Sequence, residues 1–450
     1  MFGIAMQTST PKAAGPGMRK RCLLAAALLF IALPGSAGAA SSEALDYRET
    51  LARMLTSHKR IAGAQAEVEA AGAGVSKAQG AWYPDLALSS KVGHHNVRRT
   101  GDYPETNLTD GDLNLSVRQP LWDFGQIGGA IGKSEVALQQ AKVSALAVRM
   151  DLLLEGVTAF INFDRTERSV EFARQSVANI RRQTGLEQSR VEIGGGSTSD
   201  VLQAKSQLAG AQARLAVAEG AQAIAGNRFR ALFGHVPTAG QARPSIRLPH
   251  DLLPATIDDA IAIARTRNPQ LELVTLGVSG NQAEINRVRG SELFPKLSGV
   301  AETRLQHNPS GAYDRRAEQL LMFEMSYQFN TGLSAKHSVD AARQTLRASQ
   351  YKLDDTRNIV EEQVYNAWQS LETARRNADY LGNQVQIVGE FLRLAREERV
   401  QGRRSLIDIL SGETTLINAQ SDAASAEADV AIAGFSLLRS IGVLDLDIFP

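Results

Sequence analysis

The stretches EIGGGSTSDVL (192–202) and QGRRSLIDIL (401–410) both place glycine shortly before an aspartate, and Asp200 and Asp408 lie 208 positions apart. Each stretch follows a long segment without proline and precedes a second one. Because glycine tolerates the backbone of a tight reversal, we predict the tips of two helical hairpins here. The predicted tip turns contain Gly194, Gly195, Gly196 and Gly402.

The remainder of the chain repeats in the same order, which is the pattern of an internal duplication. The segment AWYPDLALSS (81–90) has its counterpart in LFPKLSGVAE (293–302), and FRALFG (229–234) has its counterpart in LLRSIG (437–442). Between the two copies, residues 235–255 contain four prolines, which forbid a continuous helix. The sequence therefore predicts two repeats joined by a proline-rich linker.

Each repeat is predicted to contain a first helix, two strands, a long helix and a return helix. The first helices are predicted at about 44–80 and about 256–292. In the first repeat (40–234), the strands are predicted at about 86–98 and 111–122, the long helix at about 128–193 and the return helix at about 198–233. In the second repeat (256–446), the strands are predicted at about 296–306 and 319–330, the long helix at about 334–400 and the return helix at about 405–441.

The first residues have the features of a secretory signal peptide. Residues 18–40, MRKRCLLAAALLFIALPGSAGAA, have a basic start, an apolar run and a small-residue cleavage site. We assign residues 1–39 to an N-terminal extension and signal peptide, with Met18 as a plausible start. Cys22, the only cysteine, lies before the apolar run, so the mature chain has neither a thiol nor a lipid-attachment cysteine.

Charge and motifs exclude several function classes. The full chain has 49 Lys+Arg and 48 Asp+Glu; removing residues 1–39 takes away four basic and no acidic residues, which leaves a net charge of about −3. This mixed charge predicts no nucleic-acid partner. The chain has no HExxH, GxSxG or phosphate-binding glycine motif. His94 and His95 have no acid at metal-ligand spacing, so we predict no metal site. Because the catalytic and phosphate-binding motifs are missing as well, we predict no catalytic residue and no cofactor.

Alternation of apolar and polar residues in the predicted strands indicates a sheet with one apolar face. Leu113 and Leu115 alternate with Asn114 and Ser116, and the segment 321–329 alternates in the same way. Four strands leave unpaired edges, and in a bilayer only a closed barrel satisfies the backbone of a strand. Several chains must therefore contribute to one barrel.

The number of strands favours three chains. Eight strands from two copies enclose an interior that side chains fill, whereas twelve strands from three copies leave a wide lumen. Polar strand residues would then face water and apolar ones outer-membrane lipid. The aromatic residues predicted to form girdles at the membrane boundary are Trp82, Tyr83, Trp122 and Phe124.

From about residue 44 to 446, the sequence resembles the TolC family of outer-membrane efflux proteins. The resemblance rests on the order and doubling of AWYPDLALSS, QPLWDFG, GGGSTSDVLQAKSQL, LFPKLSG, GRRSLIDILSGETTLINAQ and LRSIGVL. It implies a mainly α fold with a membrane β-barrel portion, in a homotrimer that shares a 12-stranded barrel continued by a long α-helical tunnel. The tunnel would lie in the periplasm, with the linker 235–255 in the equatorial region.

The resemblance also implies partners and a gate. The partners are a periplasmic adaptor (membrane fusion) protein and an inner-membrane ABC exporter or proton-driven pump. Polar contacts between hairpin tips hold the entrance of such tunnels shut. The residues that match these positions are Thr198, Ser199, Asp200, Arg399 and Arg404, with Asp408 in an acidic entrance ring.

This sequence departs from the family pattern at two of these positions. Arg399 stands where a tyrosine is typical, and Ser411 stands where a second entrance acid is expected, which leaves Glu413 as a substitute in the ring. Arg404, with Arg399, is predicted to pair with Asp200 in the closed state. The alternative is that Asp200 and Asp408 are caps or first-turn acids of the return helices, favoured by the helix dipole.

Three functions remain open from the sequence. The first is the outer-membrane channel of a type I protein secretion system, which the missing lipidation cysteine and the segment QPLWDFGQIGGAIGKSE favour. The second is the outer-membrane component of a drug or metal efflux pump. The third is a soluble periplasmic coiled-coil adaptor, which does not explain the doubled alternating strands.

Overall fold

The computed structural model of the protein describes residues 47–98, 105–195, 197–237, 246, 248, 252–328 and 331–449. The predicted signal peptide (1–39), Gly196 and most of the proline-rich linker lie outside the described residues. Phe329, at the end of the last predicted strand, also lies outside them.

The same order of elements occurs twice along the described chain. The first copy consists of α1 (Tyr47–Ser57), α2 (Lys59–Gly80), β1 (Asp85–Val97), β2 (Thr106–Trp122), α3 (Gln126–Glu192) and α4 (Thr198–Phe233). The second copy consists of α5 (Ile257–Arg267), α6 (Pro269–Leu293), β3 (Lys296–His307), β4 (Arg315–Ser326), α7 (Ser334–Val400) and α8 (Leu406–Ser440).

The prediction of one unbroken helix at about 44–80 and another at about 256–292 is wrong at the same place in each repeat. The first is interrupted at His58, whose ψ of 134° is extended and which caps α2. The second is interrupted at Asn268, because Pro269 disfavours helical backbone in the residue before it. The Asn268 side chain accepts hydrogen bonds from the next backbone amides and so starts α6.

Two strands begin earlier than the apolar alternation indicated. Strand β2 begins at Thr106 rather than at about 111, and β4 begins at Arg315 rather than at about 319. Thr106 pairs with Val97, and Arg315 pairs with His307. Backbone ladders continue through these polar residues because hydrogen bonding between strands does not require apolar side chains.

The four strands form one antiparallel sheet in the order β1-β2-β3-β4. Leu321, Phe323 and Met325 of β4 lie on one face and expose 85, 82 and 72 % of their surface. On the opposite face, Met322 and Glu324 are half-buried. We call the face that carries Leu321 and Phe323 the outer face; it is apolar and is not covered by the chain itself.

The long helices α3 and α7 contain 67 residues each, which corresponds to a length of about 100 Å. Helix α3 packs along α4, and α7 packs along α8. The main core lies where Leu152, Leu153 and Val157 of α3 join Phe435 and Leu438 of α8 in one buried cluster. None of the described helices is long and apolar enough to cross a membrane.

Close backbone contact joins the start of α3 to the end of α6, next to the sheet. A Cβ atom on Gly129 would lie 2.5 Å from the backbone nitrogen of Arg287. A Cβ atom on Gly290 would lie 2.5 Å from the backbone nitrogen of Gln126. Glycine is therefore required at both positions, and the two helices that carry the sheet are held together there.

An ion cluster stabilises the same crossing. Arg287 donates to Glu284 with an Nη2–Oε1 distance of 2.8 Å, and the Nζ atom of Lys133 lies 3.3 Å from Glu284 Oε2. The hydrogen bond from Arg287 is the main reason that the pKa of Glu284 is lowered to about 2. Lys133 belongs to α3 and Glu284 to α6, so the cluster connects the two repeats.

Candidate functional site at the hairpin tips

Both hairpin tips end their long helix with the same hydrogen-bonded turn. Gly194 has a φ of +82°; its N–H bonds to the carbonyl three residues back, and the N–H of Gly195 bonds to the carbonyl five residues back. Gly402, with a φ of +74°, and Arg403 make the same two bonds at the second tip. This is a Schellman motif, in which glycine provides the left-handed residue.

Both return helices are capped by serine rather than aspartate. Ser197 and Ser405, which lie 208 positions apart, are the N-caps of α4 and α8. Asp200 and Asp408 are exposed and lie in the first turns, where the helix dipole favours a carboxylate. Thr198 begins α4 and is also exposed. The position of both aspartates agrees with the first-turn interpretation, which is compatible with an additional role at an entrance.

The two predicted gate arginines have partners other than Asp200. The Arg399 Nη2 atom lies 2.8 Å from Glu187 Oε2, and the Glu187 residue is only 5 % exposed. The Arg404 Nε atom lies 2.8 Å from Glu398 Oε2, and its guanidinium carbon lies 5.1 Å from the centre of the Phe391 ring. Arg399 therefore connects α7 to α3, whereas Arg404 stays within its own hairpin.

The predicted pairing of Arg404 or Arg399 with Asp200 is not formed within this chain. Among the described residues, the Asp200 carboxylate has no ion pair. It lies on the first hairpin, in the exposed first turn of α4. Any partner of Asp200 in a closed state must come from a neighbouring copy or from a rearranged tip.

Glu413 does not occupy the exposed position expected of an entrance acid. It is 2 % exposed, and its carboxylate receives a hydrogen bond from Arg396 of α7. Asn179 of α3 donates to the other carboxylate oxygen at 3.4 Å. In this conformation Glu413 is buried between three helices and does not face an open channel. Its place in the acidic ring stays a prediction.

Glu187 of α3 therefore connects the first hairpin to the second through Arg399. Glu413, in contrast, pairs with Arg396 of its own hairpin and accepts a hydrogen bond from Asn179 of α3. We call Glu187 and Arg399 the inter-hairpin clasp. Arg396 and Arg399 are three positions apart on α7 and share one helix face. Removing one partner of a buried ion pair costs about 3–5 kcal/mol because the other charge is left uncompensated. The clasp is thus stronger than the exposed ion pairs of the tips, which contribute about 0–1 kcal/mol each.

Sequence reasoning did not identify Glu187 and Arg396. The resemblance directed attention to the turns at 194–202 and 402–408, and Glu187 and Arg396 lie on the long helices before those turns. The sequence feature that could have indicated a contact surface here is the three-residue spacing of Arg396 and Arg399, which places both on one face of α7. Their acidic partners come from other helices, so no local pattern reveals the pairs.

The predicted aromatic residues gather where the helices meet the sheet. Trp122 and Phe124 make an edge-to-face contact with ring centres 6.1 Å apart, and Phe124 stacks on Phe294 at 4.8 Å. Trp122 and Tyr83 are 60 and 72 % exposed, and Trp82 is 38 % exposed. Phe294, at the end of α6, was missed from the sequence. All four predicted residues lie at one end of the sheet, as a girdle requires. The girdle itself stays a prediction.

Within the described ranges, no group of three or more His, Cys, Asp or Glu side chains could hold a metal ion. The sheet provides an exposed apolar surface, and the crossing of α3 with α6 and the hairpin tips provide ion pairs. These ion pairs can be formed or broken when helices move relative to one another.

Comparisons with known proteins agree with this architecture. The model of the family described as outer membrane efflux protein matches residues 50–235 and 260–443, which is one match for each repeat. The outer membrane efflux protein BepC of Brucella suis is 23 % identical over 94 % of this chain and 91 % of its own. The alkaline protease secretion protein AprF of Pseudomonas aeruginosa is 24 % identical over 77 % of this chain and 72 % of its own.

The fold is also that of solved outer-membrane channels. The CmeC outer membrane channel of Campylobacter jejuni superposes with a TM-score of 0.76, at 13 % identity, over 90 % of this chain and 88 % of its own. The TolC-like fold predicted from the sequence is confirmed: mainly α, with a sheet that forms the barrel portion. Together with the family match over most of its length, this establishes that the chain belongs to the outer membrane efflux protein family, whose members are channels of the outer membrane and not enzymes.

Proposed function

We propose that three copies of this chain form the exit duct of a type I protein secretion system. The observation that carries the proposal is the doubled hairpin of about 100 Å joined to a sheet whose apolar outer face the chain leaves uncovered. Four strands from each of three copies close a twelve-stranded barrel, and six hairpins continue it as a tunnel. Residues 1–39 direct export and are removed, and residues 235–255 link the repeats at the equator.

Outer-membrane efflux proteins work as trimers with adaptors and inner-membrane transporters. We assign this chain a periplasmic adaptor and an ABC exporter as its partners. Its similarity to a protein named for alkaline protease secretion supports a polypeptide cargo. The absence of a cysteine after the signal segment supports the same branch.

Drug or metal efflux with a proton-driven pump is the second candidate. It is favoured by BepC, a relative that is named an efflux protein and matches this chain over nearly its whole length. The experiment is deletion of the gene, followed by comparison of secreted proteins and of drug and metal sensitivity. Loss of a secreted polypeptide with unchanged sensitivity supports secretion. Hypersensitivity with an unchanged set of secreted proteins supports efflux and contradicts the first proposal.

The inter-hairpin clasp is assigned the role of holding the periplasmic entrance closed. Outward movement of the second hairpin must separate Arg399 of α7 from Glu187 of α3, because the two lie on different hairpins. Thr198, Asp200 and Arg404 remain at the tips for contacts between copies. Asp408, exposed in the first turn of α8, supplies the acidic ring at the entrance.

Single-channel conductance in planar bilayers tests the clasp. Arg399→Ala removes one link between hairpins, and we expect a larger conductance than in the unmodified channel. Arg393→Ala is the matched control, because in the part of the chain that the structure describes Arg393 pairs with Glu390 and Glu397 of its own helix. Equal conductance of the two variants would show that the clasp does not close the entrance.

A further inference from the structure

Charge is segregated between the two faces of the sheet. By register, every acidic residue of the four strands, all of which lie in the described chain, is on the face opposite the outer face: Asp85, Asp110, Asp112, Glu302, Glu318 and Glu324. Of the lysines and arginines in the strands, Arg315 alone lies on the outer face. The titratable residues that share this face are His94 and His307. The outer face therefore combines an apolar surface with positive charge and no negative charge.

These basic residues lie at the end of the sheet that is farthest from the helices. Helix α2 enters the sheet at the Asp85 end of β1, so the opposite end of the sheet is the outer one. There Arg315 pairs with His307, His307 with Gly111 and Gly111 with Val92, which places the four residues in one row across the strands. In an outer-membrane channel with a periplasmic helical tunnel, this row faces the outer leaflet.

A shallow groove of about 490 Å³ follows this row. Leu113, Leu305 and Ala317 belong to the apolar part of its lining, one step closer to the centre of the membrane. Lys91, Asp112 and Arg316 also line the groove, although by register their side chains lie on the opposite face. Gly111 opens the groove in the middle of the row, because it has no side chain; a Cβ there would meet only the Cβ of His307, at 3.9 Å. The groove thus has an apolar floor and a basic upper edge.

The geometry of the basic edge suits a phosphate group. The Arg315 Nε–H donates to His307 Nδ1 at 3.4 Å, which leaves the Nη donors of the guanidinium for an anion. Because Nδ1 accepts this bond, the proton of a neutral His307 ring is on Nε2 and can be donated as well. Guanidinium groups bind phosphate oxygens in a bidentate manner.

The position also agrees with the cost of charge in a bilayer. Arginine on the lipid face of a barrel costs about 2–4 kcal/mol at the midplane but only about 0–1 kcal/mol near the interface. Below Arg315 the outer face of β4 continues with Ala317, Gln319, Leu321, Phe323 and Met325. Arg315 therefore lies at the level of lipid headgroups, with mainly apolar surface beneath it.

We propose that the groove at Arg315, His307 and Gly111 binds the phosphorylated glycolipid of the outer leaflet, the lipid A part of lipopolysaccharide. A lipid A phosphate lies against Arg315 and His307, and acyl chains cover Leu113, Leu305 and Ala317. The phosphate of this ligand matches the basic edge of the groove, and its sugar matches the open position at Gly111. Its acyl chains match the apolar floor. This binding does not depend on which cargo the channel exports.

The test measures binding of bis-phosphorylated lipid A to the purified full-length channel in detergent. Arg315→Ala is expected to raise the Kd on the order of tenfold, the size of one charge-assisted hydrogen-bonded contact. Arg118→Ala is the matched control: Arg118 lies on the opposite face of the sheet, does not line the groove and pairs with Glu324. Its Kd should equal that of the unmodified channel. Equal Kd values for the Arg315 and Arg118 variants would overturn the proposal.

Two further arms separate the ligand chemistry from nonspecific lipid binding. Gly111→Leu keeps Arg315 and fills the groove, so it should also raise the Kd. Lipid A without its phosphates should bind weakly to every variant, and phosphatidylglycerol should not distinguish Arg315→Ala from Arg118→Ala. If phosphatidylglycerol binds as tightly as lipid A and shows the same loss with Arg315→Ala, the site is one for any anionic lipid and the lipid A assignment is wrong.

Discussion

Helices α3 and α7 occupy equivalent places in the two repeats and have the same length, yet α3 is much better buried. Near the tips, Ile180 of α3 is fully buried, whereas Ile387 of α7 exposes 70 % of its surface. Helix α3 packs against α2, α4, α6 and α8, whereas α7 packs mainly against α6 and α8. The duplicated sequence thus specifies the length of each helix, and its position in the chain decides what covers it.

The uncovered side of α7 carries large apolar and aromatic residues. Those with the largest exposure are Val400, Tyr380, Ile387 and Tyr351, followed by Tyr365, Leu394 and Phe391. An apolar strip along a helix of this length indicates a contact surface for another molecule. In the proposed trimer, this molecule is the next copy, so α7 completes its packing only on assembly.

The largest effect is expected from truncating the buried isoleucine. Ile180→Ala should lower the stability by about 4 kcal/mol, within the range for a large-to-small change in a core. Ile387→Ala is the matched variant on α7; it should leave the folded chain intact and reduce the amount of SDS-resistant trimer. Thermal unfolding and gel migration measure the two effects. If Ile387→Ala lowers stability without affecting the trimer, α7 is not the surface between copies.

Glu187→Gln tests the connection between the hairpins. The substitution leaves Arg399 without its carboxylate, and we expect a loss of about 3 kcal/mol in stability because Glu187 is buried. Glu398→Gln breaks the more exposed pair with Arg404 inside the second hairpin and should cost less than about 1 kcal/mol. Denaturant unfolding of both variants gives the comparison. Equal losses would mean that the contacts within and between hairpins have the same strength.

Removing each serine N-cap compares the stability of the two tips directly. Ser197→Ala and Ser405→Ala each remove an acceptor for a backbone N–H in the first turn of the return helix. Each change should cost about 1 kcal/mol, and hydrogen exchange in α4 and α8 should rise only in the helix whose cap is removed. Exchange that rises in both helices would show that the tips are coupled within one chain.

The smallest effect is expected at the junction of the repeats, because solvent screens the partly exposed ion pairs of Glu284. This effect depends on pH. The pKa of Glu284 is lowered to about 2, chiefly by the hydrogen bond from Arg287. Its stabilising contribution is therefore present above the ordinary carboxyl pKa of about 4.5 and is lost as the pH falls from there towards 2. The difference in Tm between the unmodified chain and Glu284→Gln should exist at pH 7 and shrink below pH 4.5. A difference that is constant from pH 7 to pH 2.5 would exclude an ionised Glu284 as its cause.

Features that depend on neighbouring residues could be predicted from the sequence. The tip turns at Gly194 and Gly402 follow from glycine after a long proline-free segment, because only the local backbone is involved. The apolar face of β4 follows from period-two alternation. The break at Asn268 was missed although Asn-Pro is a local signal, because the helical pattern on either side of it is continuous.

Features that join distant segments could not be predicted. Arg399 was identified as a tip residue, but its partner Glu187 is 212 positions away. Glu413 was expected at the entrance as a substitute, because Ser411 stands where the second acid is expected, and packing of α8 against α3 and α7 buries it.

The sequence by itself determined the doubled order of helices and strands, the length of the hairpins and the positions of their turns. These follow from proline, glycine and hydrophobic period, each of which acts within a few residues. Only the tertiary structure decided which carboxylates are buried, which arginine meets which acid and which end of the apolar face carries positive charge. Those properties arise when helices and strands distant in sequence are packed together, and packing sets both the solvent exposure and the partner of every charge.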